Sequence, residues 1–281
     1  MNRQISADSA AQTQPLCAML PYLQALQQQL IIISCPGRLL DTPAARQTLA
    51  QDVALLALAG ARPLLVHDDI TLGGALTEIN RDLVERINLH GAKALGMSAA
   101  DTYTTVRSPG VGALGVRALD IKLFTLLLSN NLLPVLMSSD QHPEKESPGL
   151  AAGRLGSLLA QCLPQAQLVL MDQRQTINQL GAVSMLSELI QRLEVPPSTE
   201  LGLLGAAAAS ALNHGVKTVH MVAADEPGAL IEQLLSDESS GVTLCSHSPA
   251  HLMADSTRYF HDCDTVLRPN FKTQHKCVVR F

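Results

Sequence analysis

The residues that could do chemistry fall mainly where apolar runs stop. Leu64-Leu65-Val66 runs into His67-Asp68-Asp69, an imidazole followed by two carboxylates. Such a group can serve as an acid/base pair or as metal ligands. Its spacing assigns no third ligand, so the plainer role is capping, with Asp68 or Asp69 accepting the free N–H groups of the next helix. Asp172 likewise closes Leu168-Val169-Leu170-Met171, where it either touches a ligand or caps the succeeding segment. Ser34-Cys35-Pro36-Gly37 closes Leu30-Ile31-Ile32-Ile33 and carries no charge.

Two further groupings invite chemistry and are answered by context. Gly110 to Gly115 spells GxGxxG, which grips a pyrophosphate only when a strand feeds it and a helix comes after it. Ser108-Pro109 precedes it and no acidic residue lies at the required distance downstream, so a glycine-rich hairpin is the better reading. The stretch 245–281 holds Cys245, His247, His251, His261, Cys263, His275 and Cys277. These side chains are potential metal ligands. Their spacings match no standard zinc module, and no metal site is assigned.

The elements that must position these residues are set by composition and periodicity. A chain of 281 residues, 47% hydrophobic and 16% charged, has ample material for a packed core. A net charge of −5 argues against a nucleic-acid or anionic-membrane binder, and no apolar run is long enough to span a bilayer. No apolar core comes after the charged start as a signal peptide requires, so a cytoplasmic location is expected, with reduced cysteines.

Residues 1–16 are polar and read as a disordered tail. Strands are expected at Leu30–Ile33, Pro63–Val66, Lys93–Met97, Leu133–Met137, Leu168–Met171 and Thr218–Val222. Helices alternate with them, opened by signals such as Asp41-Thr42-Pro43 and closed by others such as Gly60. Among them are 119–130, 150–163, 182–193, 203–214 and 228–235. Alternation of this kind predicts an α/β fold, a three-layer αβα sandwich with a mostly parallel open sheet. The carboxyl ends of its strands should line the ligand crevice. The extension 245–281, with three of six Cys and four of nine His, has a composition of its own.

Several ordered segments resemble the acetylglutamate kinase branch of the amino-acid kinase family. Gln51-Asp52-Val53-Ala54-Leu55-Leu56 with Gly60 and Pro63 to His67 is similar to that family's first helix and second strand. Ile79 to Val84 and Gly91 to Gly96 look like its next helix and strand. Gly215-Val216, Val219-His220-Met221 and Pro227 to Leu235 are similar to its last strand and helix. The match covers residues 17–244, the half before about residue 145 corresponding to the amino-acid side and the later half to the nucleotide side.

The resemblance also implies where function would lie. The family's phosphate-holding lysine and glycine pair fall on Ser34 and Pro36-Gly37, its His-Gly-Gly-Gly turn on His67-Asp68-Asp69-Ile70, and its ordering Asn-Ala-Asp turn on Ser147-Pro148-Gly149. A second catalytic lysine falls on or near Leu204, and Asp172 stands where the family has a nucleotide-side aspartate. Ser34, Gly149 and Leu204 are thus altered catalytic positions; Gly37, His67, Asp68, Asp69 and Ser147 are candidate substrate-binding positions, and Asp172 is the candidate nucleotide-binding position. Phosphoryl transfer depends on placed positive charge, and losing one such contact costs about 10²–10³ in rate.

The resemblance leaves two expectations. One is a catalytically impaired acetylglutamate-kinase-like protein serving as a binding or regulatory protein linked to arginine or amino-acid metabolism, with an amino-acid-like ligand and either self-assembly or a partner enzyme. The other is an active kinase that moves the ATP γ-phosphate, with magnesium, to the carboxylate of N-acetylglutamate or a related acyl amino acid. It would use relocated charges such as Arg38, Lys93 or Arg154.

Overall fold

The computed structural model describes residues 20–68, 75–98, 103–107, 114–138, 152–163, 165–181, 199–235 and 241–245. The strands are β1 Leu30–Cys35, β2 Arg62–Asp68, β3 Ala94–Ser98, β4 Tyr103–Arg107, β5 Leu114–Leu119, β6 Leu133–Ser138, β7 Gln167–Asp172, β8 Thr218–Ala223 and β9 Val242–Cys245. The helices are α1 (20–26), α2 Pro43–Leu58, α3 Ala75–Leu89, α4 Ile121–Ser129, α5 Ala152–Cys162, α6 Arg174–Leu180, α7 Glu200–Asn213 and α8 Ala229–Leu235.

Seven strands form one sheet in the order β3-β6-β2-β1-β7-β8-β9, parallel except for β9, which runs antiparallel to β8. This is the expected α/β architecture, and the sheet joins strands from before and after residue 145. Strand β1 lies at its centre because both faces of its apolar run are buried. Ile32 packs with α4, α5, α6 and α7, whereas Ile31 and Ile33 pack with α1, α2, α3 and α8. All three isoleucines are fully buried. Two helical layers on one sheet complete the three-layer sandwich.

Local signals set several boundaries where they were expected. Thr42 Oγ1 accepts the Ala45 N–H at 3.1 Å with Pro43 at the first helical position, and Gly60 closes the turn after α2 at φ +97°. Of the glycine-rich stretch 110–115, residues 110–113 lie outside the described residues, and Leu114 and Gly115 belong to β5. β4 and β5 pair antiparallel on either side of 108–113 and form a separate two-stranded sheet.

Other elements depart from expectation. Helix α4 begins at Ile121, because Asp120 accepts the Leu123 N–H and leaves residue 119 to β5. The strand β4, the edge strand β9 and the seven-residue α6 had no clear periodicity to announce them. The tail 1–16, the helix expected at 182–193 and the extension beyond Cys245 lie outside the described residues.

A candidate crevice at the carboxyl ends of the strands

Three parallel neighbours, β2, β1 and β7, end side by side, and the candidate residues are distributed over their carboxyl ends. Pro36 stops β1, and residues Gly37–Leu39 form a single 3₁₀ turn. At that turn the backbone passes so close to β2 that a Cβ on residue 37 would lie 2.0 Å from the Asp68 carbonyl oxygen. Only glycine permits this approach. The Gly37 N–H then donates to Asp68 Oδ1 at 2.7 Å.

The second oxygen of the same carboxylate goes elsewhere. Asp68 Oδ2 accepts the Ala152 N–H, at the start of α5, at 2.5 Å. Asp68 therefore does cap a helix, but one 84 residues away in sequence rather than the next helix, as first expected. Placing a carboxylate at that amino end is favoured by the helix dipole as well as by the hydrogen bond. The approach of α5 to β1 rests on Gly156, whose Cβ position lies 3.0 Å from Ser34 Cβ.

Ser34 faces α5 across this contact. It is buried to 1% exposure, and its Oγ has no hydrogen-bond partner among the described residues. His67 points to the opposite face of the sheet, where its Nε2 lies 3.0 Å from Asn80 Nδ2, which also donates to the Val135 carbonyl. The sequence reading sets His67 and Asp68 side by side as an acid/base pair or metal ligands, with capping by Asp68 or Asp69 as the plainer role. Pleating separates the His67 and Asp68 side chains onto different faces.

Asp172 closes β7 on the other side of β1. Its Oδ1 accepts the Gln173 N–H at 2.7 Å, and its Oδ2 accepts Arg38 Nη2 at 2.6 Å. The carboxylate thus holds Arg38 and the backbone of Gln173, the residue that precedes α6. Arg38 Nε also lies 3.1 Å from Glu200 Oε1, at the start of α7. Burial alone would lower the Arg38 pKa, but the Asp172 hydrogen bond and charge, with Glu200 and Asp68, raise it above its ordinary value.

The buried Cys35 thiol is pushed up, first by desolvation and then by the Asp68 charge, against the opposing effect of Arg38. It is a protonated core side chain rather than a nucleophile.

The remaining candidates separate clearly. Leu204 is a buried core residue of α7. Lys93 precedes β3, at the opposite end of the sheet from the crevice, and its carbonyl accepts the Leu133 N–H. Arg154 is exposed on the first turn of α5, at the crevice end. Asp69, Ser147 and Gly149 lie outside the described residues. Among the described residues no group of three or more His, Cys, Asp or Glu could hold a metal ion. The assembled site is one guanidinium among three carboxylates, Asp68, Asp172 and Glu200.

No family model matches the chain. Its curated relatives include the acetylglutamate kinase of Synechococcus elongatus, 24% identical over 85% of this chain and 94% of that one. The acetylglutamate kinase of Methylibium petroleiphilum is 26% identical over 83% and 92%. Among solved structures, Giardia carbamate kinase superposes with a TM-score of 0.55 at 11% identity, covering 78% of this chain and 99% of that one. The chain is similar to acetylglutamate kinases over most of its length and has the amino-acid kinase fold.

A further solved structure is the N-acetylglutamate synthase of Neisseria gonorrhoeae in complex with coenzyme A and N-acetylglutamate. Its TM-score is 0.68 at 17% identity over 83% of this chain. The chain spans 63% of the length of that synthase. Among the described residues no helix is long and apolar enough to cross a membrane.

Proposed function

We propose that this protein is an acetylglutamate-kinase-like binding or regulatory protein, linked to arginine or amino-acid metabolism, in which phosphoryl transfer is lost. One observation carries the reading. The Asp68 carboxylate already takes both the Gly37 N–H and the Ala152 N–H, the described backbone donors converging on the crevice. A phosphate approaching those amides meets a fixed negative charge instead of free donors.

A magnesium–ATP polyphosphate does not fit the described residues for the same reason. The one guanidinium assembled there, Arg38, is tied to Asp172 and Glu200, and Leu204 contributes no charge. Stabilising a transferring phosphoryl group requires positive charge placed in advance. Among the described residues the carboxylates Asp68, Asp172 and Glu200 outnumber the guanidinium groups at the crevice end, and they support no transfer step through ATP or magnesium.

In this reading the occupant is an amino-acid-like small molecule. The protein works in the cytoplasm, as a homo-oligomer or beside a partner enzyme, with its nucleotide-side half retained as scaffold. Incubation with ATP, magnesium and N-acetylglutamate should yield no acyl phosphate, trapped as hydroxamate, above background. Calorimetric titration with magnesium–ATP should show no binding. Turnover at an ordinary kinase rate, about 1–100 s⁻¹, would overturn the proposal.

The second reading, an active kinase on the same fold, draws on Arg38. That residue brings positive charge next to Asp172, within one turn of the altered β1 corner. If it substitutes for a lysine there, Arg38→Met abolishes a measurable turnover.

A further inference from the structure

We infer that the amino end of α5 and the β1 turn form an oxyanion seat, and that Asp68 is its built-in occupant, closing it to external anions. The inference deepens the proposed function and rests on it for the closed state of the natural protein. Two amides from elements 115 residues apart, Gly37 and Ala152, converge on one carboxylate at 2.7 and 2.5 Å. Both residues and Asp68 itself are buried. Such a pair of converging N–H groups, one of them at a helix amino terminus, is suited to an oxyanion of any origin.

Two further buried donors, one on β1 and one on the turn after it, lack partners among the described residues. Ser34 Oγ lies on the α5 face of the sheet, paired in register with Val66, two residues before Asp68. It is fully buried and lacks a hydrogen-bond partner among the described residues. Arg38 Nη1 is likewise buried without a partner, although the other guanidinium nitrogens are engaged. A buried polar atom left unpaired is costly, and the planar Asp68 carboxylate satisfies neither. An external oxyanion, freed from the geometry of a side chain anchored on β2, has oxygens to offer them. Carboxylates and phosphates share this chemistry.

The decisive variant is Asp68→Ala, which empties the seat and leaves its walls. Titration of the full-length variant with acetate, and separately with inorganic phosphate, should raise Tm saturably by about 3–5 °C at tenfold over Kd. Sodium chloride at equal ionic strength should not. Wild type, whose seat stays filled, should respond to the anions as it does to chloride. Acetate alone acting would assign a carboxylate seat, phosphate acting more strongly would assign a tetrahedral one, and either supports the inference.

A folded Asp68→Ala protein indifferent to both anions overturns it. If that variant does not fold in dilute buffer, refolding across the same series gives the answer. Recovery with acetate or phosphate but not chloride supports the seat, and no recovery with any of them rejects it. The kinase assay on wild type judges the proposed function, so failure of one is distinguishable from failure of the other.

Discussion

Two clusters of charge tie separate elements of this protein together, and they are built on opposite principles. On the outer face of α2 and α3, two guanidinium groups share one carboxylate. Arg46 Nε lies 2.5 Å and Arg86 Nε 2.8 Å from the two oxygens of Asp82. Arg46 also donates to the Leu40 carbonyl, and Arg86 to Gln47 Oε1. In the crevice the ratio reverses, with Arg38 facing three carboxylates.

The outer cluster is an excess of donors around a carboxylate that is 28% exposed, so water partly screens its charges. The crevice cluster is an excess of acceptors in a place reached only by close backbone approach. Asp172 has 3% of its side chain exposed, against 28% for Asp82. Burial therefore decides which of the two is structurally exacting.

The largest effect should come from the backbone approach itself. Gly37→Ala puts a Cβ 2.0 Å from the Asp68 carbonyl oxygen, a clash with backbone that no side-chain rotation relieves. The turn has to move away, breaking the hydrogen bond to Asp68. A loss of about 3 kcal/mol is expected in denaturant unfolding. Gly153→Ala, whose Cβ would meet its nearest atom at 3.5 Å, should cost under ~1 kcal/mol. Equal losses in the two variants would remove close approach as the basis of the crevice.

Between about pH 6.5 and pH 4 the acid sensitivity of stability should come from a third place, the buried histidine of β8. His220 on β8 is buried beside Thr243 and Gln233, and burial lowers its pKa to about 4. A depressed histidine gives stability that is present above its ordinary pKa of 6.5 and is lost as pH falls through the folded value. Asp52 has the opposite sign, raised by burial to about 6 against a hydrogen bond from the Gly228 backbone. Its contribution is full below 3.8 and fades as pH rises through 6. The stability of wild type relative to His220→Gln should therefore fall on the order of 3 kcal/mol from about pH 6.5 to about pH 4. A difference that stays flat over this range would remove His220 as the source of acid sensitivity.

Removing the crevice cation comes next in size. Arg38→Met keeps the aliphatic stem and leaves the Asp172 carboxylate with the Gln173 N–H but without its cation. Truncating one partner of a well-buried pair costs several kcal/mol, and Arg38 is about a fifth exposed, so about 2 kcal/mol is expected. Asp172→Asn in the Arg38→Met background should recover part of the loss, since the stranded charge is then gone. An unchanged double variant would show that the pair carries no coupling.

How much of this was legible beforehand depends on the range of the signal. The buried β1 run, the Thr42 cap and the Gly60 stop are written in neighbouring residues, and they appear where periodicity and capping chemistry place them. Asp68 is different. Its position at a strand end marked it, yet its partners lie 31 and 84 residues away, and nothing local says which amides it will meet.

The nearest available signals were a glycine directly after the Pro36 break and a second glycine, Gly156, in the middle of a helix. Both mark close approach of backbones. In the sequence Arg38 reads only as a substitute charge, because its pairing with Asp172 requires β1 and β7 to be adjacent. Adjacency of that kind comes from the sheet order β2-β1-β7, which no spacing in the chain encodes.

The smallest effect should come from the outer cluster, and its size sharpens the contrast most directly. Asp82→Ala removes the carboxylate shared by Arg46 and Arg86, the same kind of deletion that empties the crevice seat. Against its own partial desolvation, hydrogen bonds from Arg86 and Arg46 and their charges hold the Asp82 carboxyl below the usual carboxylate range. Both arginines, however, keep other partners, the Leu40 and Asp41 carbonyls for one and Gln47 for the other, and water reaches all three side chains. The expected loss is about 0.5–1 kcal/mol, and it should shrink as salt is raised toward about 1 M, where the Debye length is about 3 Å. Deletion of Asp68 should show no such salt relief from chloride, because its partners are buried amides. If Asp82→Ala instead costs as much as Arg38→Met and ignores salt, exposure is not what separates the two clusters, and the excess of carboxylate in the crevice has to be explained by the sign of its charge alone.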